Sequence, residues 1–189
     1  FMSNIWLTSD FHFGHDREFV WKARGYSSVE EMNEIQIEKF NSLVQSDDTV
    51  YILGDLMLGN NDEGIKCLKR LNGNKYFVRG NHDTDVRVNL YIDEQNANIG
   101  FLGDATILKY RKYYFYMSHY PTMTGNLQRE SLHQMTLNLY GHTHQTTNFY
   151  QDMPFMYHVG VDSHDGYPVL LDDIIQQMKD KVEECKSFL

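Results

Sequence analysis

The chain has 189 residues, of which 41% are hydrophobic and 23% are charged, and its formal net charge is −9 at pH 7. This length suits one domain with a sizeable core, and the composition is that of a globular protein rather than a disordered one. The acidic balance argues against a large basic nucleic-acid surface, because neutralising phosphates requires clustered Lys and Arg. The negative net charge does not exclude a metal-dependent nuclease.

The sequence also bears on location and on domain boundaries. No run approaches the roughly 20 apolar residues that cross a bilayer, and the first residues do not have the pattern of a signal peptide. Cys67 and Cys185 lie far apart and are interpreted as reduced thiols. We therefore predict a cytoplasmic protein with no membrane partner. Phe1 precedes Met2 and is interpreted as a cloning remnant, so that the single domain is taken as residues 2–189.

Strand and helix patterns alternate through the first half of the chain. Ser28 and Glu31 have capping-box spacing, and apolar residues follow them at helical intervals. A second helix is predicted from Asp62 to Leu71. Strands are predicted at 5–8, 49–53 and 75–78. This alternation indicates an α/β fold whose sheet begins with parallel strands.

The second half is richer in strands. Segments 106–110 and 113–117 predict a tight hairpin, and further strands are predicted at Thr136–Tyr140 and Phe155–Val161. A final amphipathic helix is predicted to begin at Asp173. We find no internal repeat or linker, so these elements predict one two-sheet sandwich flanked by helices.

Polar residues that can bind metals follow nearly every predicted strand, usually beside a glycine. In chain order they are Asp10-x-His12, Gly54-Asp55, Gly80-Asn81-His82-Asp83, His119 and Gly141-His142-Thr143-His144. Ligands of open α/β sheets bind outside the carboxyl ends of the strands, so these strand ends are expected to meet at one crevice. Imidazole nitrogens with carboxylate and amide oxygens, and no thiolate, suit hard-to-borderline divalent metals.

The spacing within these motifs suggests how they divide between two ions. Alternate residues of an extended segment point the same way, so Asp10 and His12 are expected to bind one ion together. His142 and His144 can serve one ion each if the backbone turns between them. Asp55 stands alone after its strand and is the natural bridging carboxylate. With only two anionic ligands, two divalent ions would leave a charge of about +2, which suits a phosphate ester.

The ordered motifs D-x-H, GD, GNHD, H and GHTH resemble those of the calcineurin-like metallophosphoesterase superfamily. The resemblance implies a four-layer α/β/β/α sandwich of two mixed sheets flanked by helices. It also implies a dinuclear centre with Asp10, His12 and His144 at the first metal, Asp55 shared, and Asn81, His119 and His142 at the second. His82 matches the histidine that contacts the phosphoryl group or protonates the leaving oxygen.

The predicted reaction is hydrolysis of a small phosphomonoester or phosphodiester. Two ions roughly 3.5–4 Å apart can share a water, lower its pKa and present a bridging hydroxide for in-line attack on phosphorus. His82 would then supply a proton to the leaving group. The metals are expected to be Mn, Fe, Zn, Co or Ni according to supply, because nitrogen and oxygen sites of this type accept all of them.

Two other functions remain open at this point: a catalytically silent metal-binding scaffold of the same fold, and a metal-dependent nuclease. The second motif lacks the additional Asp and Arg of serine/threonine protein phosphatases, so the chain looks like the small bacterial or phage type.

His15 is predicted either to contact substrate phosphate or to make a structural hydrogen bond. Substrate specificity is assigned to loops 85–98 and 122–134. Residues 159–162 are interpreted as a strand and its turn, without chemistry. The oligomeric state is not encoded in any pattern we recognise.

Overall fold

Two β-sheets form the centre of the protein. The computed structural model describes residues 3–93, 98–125 and 131–187, and the elements below are those of these residues. The strands are β1 (Ile5–Thr8), β2 (Thr49–Ile52), β3 (Asn74–Phe77), β4 (Ile99–Phe101), β5 (Ala105–Tyr110), β6 (Tyr113–Ser118), β7 (Thr136–Tyr140), β8 (Met156–His158) and β9 (Val169–Leu170). The α-helices are α1 (Glu18–Trp21), α2 (Val29–Leu43), α3 (Asn61–Lys69), α4 (Asp85–Ile92) and α5 (Leu171–Lys186).

Both sheets are mixed. The first has the order β4-β3-β2-β1-β9, with β1 to β4 parallel, as predicted for the start of the sheet, and β9 antiparallel to β1. The second has the order β5-β6-β7-β8, in which the β5–β6 hairpin is antiparallel and the remaining pairs are parallel. The hairpin turns at Arg111 and Lys112, whose φ angles of 48° and 69° match a tight two-residue turn. The α/β fold class with two mixed sheets flanked by helices is therefore confirmed.

The first sheet separates two hydrophobic cores. Because successive side chains of a strand point to opposite faces, Trp6 packs in the core that includes residues of α2, α3 and α4, whereas Leu7 packs in the other. This second core joins the first sheet to strands β6 and β7 and to Ile174 and Met178 of α5. Both faces of β1 are thus buried, which holds the residues that follow it in a defined position.

The N-terminal ends of three helices differ in detail from those predicted. The Ser28 hydroxyl accepts a hydrogen bond from the backbone of Glu31, as the capping box requires, but the Glu31 carboxylate accepts one from Ser27 rather than from Ser28. Helix α3 begins at Asn61, after the capping residue Asn60. Helix α5 begins at Leu171, two residues before the predicted start.

Two segments, 85–98 and 122–134, were predicted to be specificity loops. Most of segment 85–98 is not a loop: α4 begins after the capping residue Thr84, and its Val88 and Tyr91 pack in the first core. The prediction of a loop was wrong for residues 85–92, and residues 94–97 lie outside the described residues. In segment 122–134, residues 126–130 also lie outside the described residues.

No described helix is long and apolar enough to cross a membrane.

Candidate metal centre

All seven side chains predicted to bind metal lie together beyond the carboxyl ends of β1, β2, β3, β6 and β7. In the first group, Nε2 of His12 lies 3.7 Å from Oδ1 of Asp10. Nε2 of His144 lies 3.8 Å from the same oxygen. The ligand atoms of these three residues all lie within 4.8 Å of one another, a spacing that one metal ion could bridge.

The second group adjoins the first through Asp55. Oδ2 of Asp55 lies 3.4 Å from Nε2 of His12 and 3.4 Å from Nε2 of His119, so it faces both groups. Oδ1 of Asn81 lies 2.8 Å from His119 Nε2 and 3.1 Å from Nδ1 of His142. The potential ligand atoms of this group therefore also converge on one point.

The donor atoms of the first group fit a bound cation. Asp10 Oδ1 and His12 Nε2 are buried, yet neither has a hydrogen-bond partner among the described residues. Buried polar atoms of this kind are rare in folded proteins, because leaving them unpaired is costly. A divalent metal would satisfy a carboxylate oxygen and an imidazole nitrogen together.

The backbone at the site adopts a conformation that L-residues rarely take. Five of the predicted ligands have positive φ angles, namely Asp10 (62°), His12 (52°), Asp55 (54°), His142 (66°) and His144 (48°). The prediction that Asp10 and His12 share an ion because they lie on an extended segment was therefore wrong in its reason. They lie on an irregular segment that follows β1, and its left-handed residues rather than strand alternation direct the side chains. Left-handed residues other than glycine cluster at functional sites, where they cost about 1–3 kcal/mol each.

The glycines of two motifs allow the strand ends to approach closely. A Cβ atom on Gly80 would overlap the Asp55 carboxylate, and one on Gly141 would overlap the Ser9 hydroxyl and the Asp10 carboxylate. Glycine permits this approach because it has no side chain. The backbone N–H of His142 donates to Oδ2 of Asp10 at 2.9 Å, which ties the end of β7 to the end of β1.

The carboxylates of the site and His119 have shifted pKa values. Burial opposes the charge on Asp10, but the neighbouring imidazoles of His12, His119 and His144 outweigh it and lower the Asp10 pKa to about 2. The pKa of Asp55 is also lowered: burial opposes this shift, and contacts with His119 and His12 outweigh it. Burial likewise opposes the charge on His119, yet Asp55 and Asp10 raise the His119 pKa to about 9. A metal that binds Nε2 of His119 must displace any proton held there, so binding at this position should weaken as the pH falls.

His82, the predicted catalytic residue, lies at the edge of the cluster. Its backbone N–H donates to Oδ1 of Asp55 at 2.9 Å, and its ring centroid lies 5.5 Å from that of His12. Asp83 does not orient the His82 ring. It instead accepts hydrogen bonds from the backbone N–H groups of Asp55 and Gly80, both at 2.8 Å. Within the described residues, no side chain hydrogen-bonds to the His82 ring.

His15 makes the structural contact that the sequence left open. Its Nδ1 lies 3.2 Å from Nδ1 of His12, and the two rings stack with centroids 5.4 Å apart. Burial and the neighbouring His12 and His82 lower the pKa of His15 to about 4, so its imidazole is neutral at pH 7. A hydrogen bond at Nδ1 leaves Nε2 of His12 directed at the carboxylates, as expected for a ligand held by its other nitrogen.

Asp162 and Arg24 contact the candidate site, and sequence reasoning assigned neither of them to it. Oδ2 of Asp162 lies 2.7 Å from Nδ1 of His144, opposite the predicted ligand nitrogen. The Arg24 guanidinium binds both oxygens of Asp162, and also the backbone carbonyls of Asp10 at 2.7 Å and Phe11 at 3.0 Å. Residues 159–162, to which no chemistry was assigned, thus include a side chain that contacts a predicted ligand. The local signal was weak, because Asp162 lies two residues after a single glycine and nothing near it in the sequence points to His144 or Arg24.

The remaining histidines lie outside the cluster, as expected for surface or core residues. His158 is fully buried, and its Nδ1 lies 2.6 Å from the Ser163 hydroxyl. His133 is exposed and stacks on Tyr113 with centroids 4.0 Å apart. His164 contacts the carbonyl of His158 at 2.8 Å. We assign no chemistry to them.

Comparison with known proteins identifies the family. A model of the calcineurin-like phosphoesterase superfamily domain matches residues 4–161. An uncharacterised protein of Methanocaldococcus jannaschii is 32% identical over 186 residues, which cover 93% of this chain and 91% of that protein. The gene 66 protein of Mycobacterium phage D29 is 27% identical over 205 residues, which cover 97% of this chain and 99% of that protein.

A solved structure has a similar fold. A protein of unknown function from Aquifex aeolicus matches with a TM-score of 0.69 and 20% sequence identity, covering 93% of this chain and 99% of that chain. This likeness concerns the fold alone, whereas the family model also spans the predicted ligand motifs from Asp10 to His144. The resemblance predicted from these motifs is confirmed, and the chain belongs to the calcineurin-like phosphoesterase superfamily.

Proposed function

We propose that the protein is a metal-dependent phosphoesterase that uses two divalent ions to hydrolyse a small phosphomonoester or phosphodiester. The observation that supports this most directly is the position of Asp55. One of its carboxylate oxygens lies 3.4 Å from Nε2 of both His12 and His119, between two groups of potential ligands. A carboxylate shared in this way is the usual means of holding two metals close together.

The donor set favours two ions of borderline hardness. Asp10, His12 and His144 would hold the first, Asn81, His119 and His142 the second, and Asp55 both. Such ions supply Lewis acidity toward phosphoryl oxygens and activate water at neutral pH. Mn, Fe, Zn, Co and Ni all suit nitrogen and oxygen ligands, so metal supply decides which ones bind.

The chain's own residues account for the remaining steps. Asp55 holds the backbone of His82 through Oδ1, and Arg87 donates to the carbonyl of His82 at 2.7 Å, so this residue is fixed on both sides. The partly exposed His82 imidazole is positioned to donate its proton to the leaving oxygen as the ester bond breaks. General acid catalysis of this kind contributes roughly 10²–10⁴-fold in rate. No side chain is required as a covalent nucleophile.

The first test is hydrolysis by metal-stripped protein, with and without added Mn²⁺. We expect turnover of p-nitrophenyl phosphate or bis-p-nitrophenyl phosphate that depends on the metal, with the ratio of the two rates separating monoesterase from diesterase activity. Asp10→Asn, purified in parallel, controls for contaminating phosphatase, because it removes a ligand charge with little change in shape.

Two results would overturn the proposal. Turnover by Asp10→Asn equal to that of the wild type would assign the activity to a contaminant. Binding of two ions per chain without hydrolysis of either ester would instead favour a silent metal-binding scaffold.

A further inference from the structure

A cleft of about 560 Å³ opens beside the first ligand group. It is lined by His12, His82 and His144 together with residues of α1 and of segment 161–166. Pockets that enclose small organic ligands have volumes of roughly 300–1,000 Å³. The cleft therefore has room for more than a phosphoryl group.

Part of the cleft is apolar. Its apolar lining consists of Phe19, Val20, Ala23 and Val161. Phe19 is 73% exposed, although its ring contacts His15 edge-on with centroids 5.7 Å apart. A large aromatic side chain left exposed at the mouth of a cleft is a common feature of ligand sites, because burying it against a ligand is favourable.

The arginine and aspartate side chains that line the cleft all have ion-pair partners. Arg24 is the only cation lining it among the described residues, and its guanidinium is held by Asp162. Asp165, at the rim, pairs with Lys39 at 3.3 Å. The cleft therefore offers no unpaired arginine or lysine to a second phosphate or a carboxylate.

We propose that this cleft binds the leaving group of the phosphoester and that it selects uncharged aromatic leaving groups of aryl or nucleoside size. This inference rests on the proposed function. His82 lines the cleft together with the predicted ligands His12 and His144, so an ester whose leaving oxygen faces His82 would place its leaving group against the apolar lining. Nucleotides that carry further phosphates on the leaving group are excluded, because those charges would be buried without partners.

The test compares three phosphonates that share one head group: methylphosphonate, phenylphosphonate and 4-carboxyphenylphosphonate. Their dissociation constants are measured by calorimetry on Mn²⁺-loaded protein. We expect the phenyl compound to bind roughly tenfold or more tightly than the methyl compound, because the ring buries apolar surface, and the carboxyphenyl compound to lose most of that gain.

Two tryptophan variants test whether the preference for phenylphosphonate arises in the cleft. Ala23→Trp fills the cleft with an indole and should reduce the preference for phenyl over methyl to within about twofold, while methylphosphonate binding is retained and shows that the fold is intact. Lys22→Trp places the same indole one residue away, at a side chain that is 72% exposed and does not line the cleft, and should keep the wild-type preference.

The results distinguish failure of the proposed phosphoesterase function from failure of the leaving-group inference. If no Mn²⁺-dependent ester hydrolysis occurs, the proposed function fails and this inference fails with it. If hydrolysis occurs but the phenyl preference is absent, or persists in Ala23→Trp, the cleft is not the leaving-group site. Tighter binding of the carboxyphenyl compound than of the phenyl compound would overturn the selection for uncharged groups.

Discussion

The carboxylate of Asp55 contacts three different parts of the candidate site. Oδ2 faces His12 and His119, one from each ligand group, while Oδ1 accepts the backbone N–H of His82. The charge of this one residue therefore bears on both groups, and its second oxygen positions the predicted proton donor. Gly80 lies against the carboxylate, so there is no room for a larger substitute.

The Asp55→Asn variant tests the shared role of this residue. We expect it to weaken metal binding at both positions, because it removes one negative charge that both ions would share. Activity should fall roughly 10²-fold or more, the scale of losing one preorganised electrostatic interaction. Metal content after gel filtration and p-nitrophenyl ester hydrolysis measure the two effects. Wild-type-like turnover would contradict the bridging assignment.

His82→Ala tests proton donation separately from metal binding. The variant should retain its metals, since the His82 ring lies outside both ligand groups, but lose roughly 10²–10⁴-fold in kcat. The loss should be greater for an alkyl ester than for a p-nitrophenyl ester, because p-nitrophenolate leaves without a proton. An equal loss for both esters, or loss of a metal, would show that His82 has another role.

At the scale of elements, two loops that are distant in the sequence are tied together by one ion pair. Arg24 lies just beyond α1 and holds the carbonyls of the turn after β1, and it also binds Asp162 after β8. Asp162 in turn contacts the nitrogen of His144 that faces away from the first ligand group. The pair is largely buried, with side-chain exposures of 7% and 11%, so solvent screens it little.

Asp162→Asn should therefore weaken the first metal position without removing a ligand. We expect metal affinity there to fall about 10–100-fold, as for other side chains that orient a ligand histidine, while the second position is retained. Stepwise Mn²⁺ titration by calorimetry separates the two. Asp152→Asn, at a side chain that is 91% exposed, is the matched control and should bind as the wild type does. Equal weakening at both positions would argue for a general structural defect.

These elements also show what the sequence could and could not predict. Strands β1, β2 and β3 were predicted to within a residue, because each is a short apolar run that ends at a ligand motif. Strands β4 and β9 are three and two residues long, too short to have a recognisable pattern. Asp162 was missed because its partner Arg24 lies 138 residues away, and no local pattern encodes that contact. The roles of the seven ligands remain predictions.

At the scale of the whole molecule, both ligand groups join the two sheets. In the first group, Asp10 and His12 follow β1 of the first sheet, whereas His144 follows β7 of the second. In the second group, Asn81 follows β3, and His119 follows β6 of the other sheet. An ion at either position therefore cross-links the two halves of the sandwich, and its binding energy should stabilise the fold globally rather than one loop.

Added Mn²⁺ should accordingly raise the unfolding temperature of metal-stripped protein. At a free concentration of 100 times Kd, binding to the native state alone stabilises it by about 2.7 kcal/mol per site. For a chain of this length that corresponds to a shift of roughly 5–10 °C. Scanning calorimetry measures the shift, chelator should reverse it, and Asp55→Asn should show a much smaller one at the same Mn²⁺ concentration. If the wild type binds two ions with no rise in Tm, the ions occupy sites that persist in the unfolded chain, and the cluster between the sheets is not the metal centre.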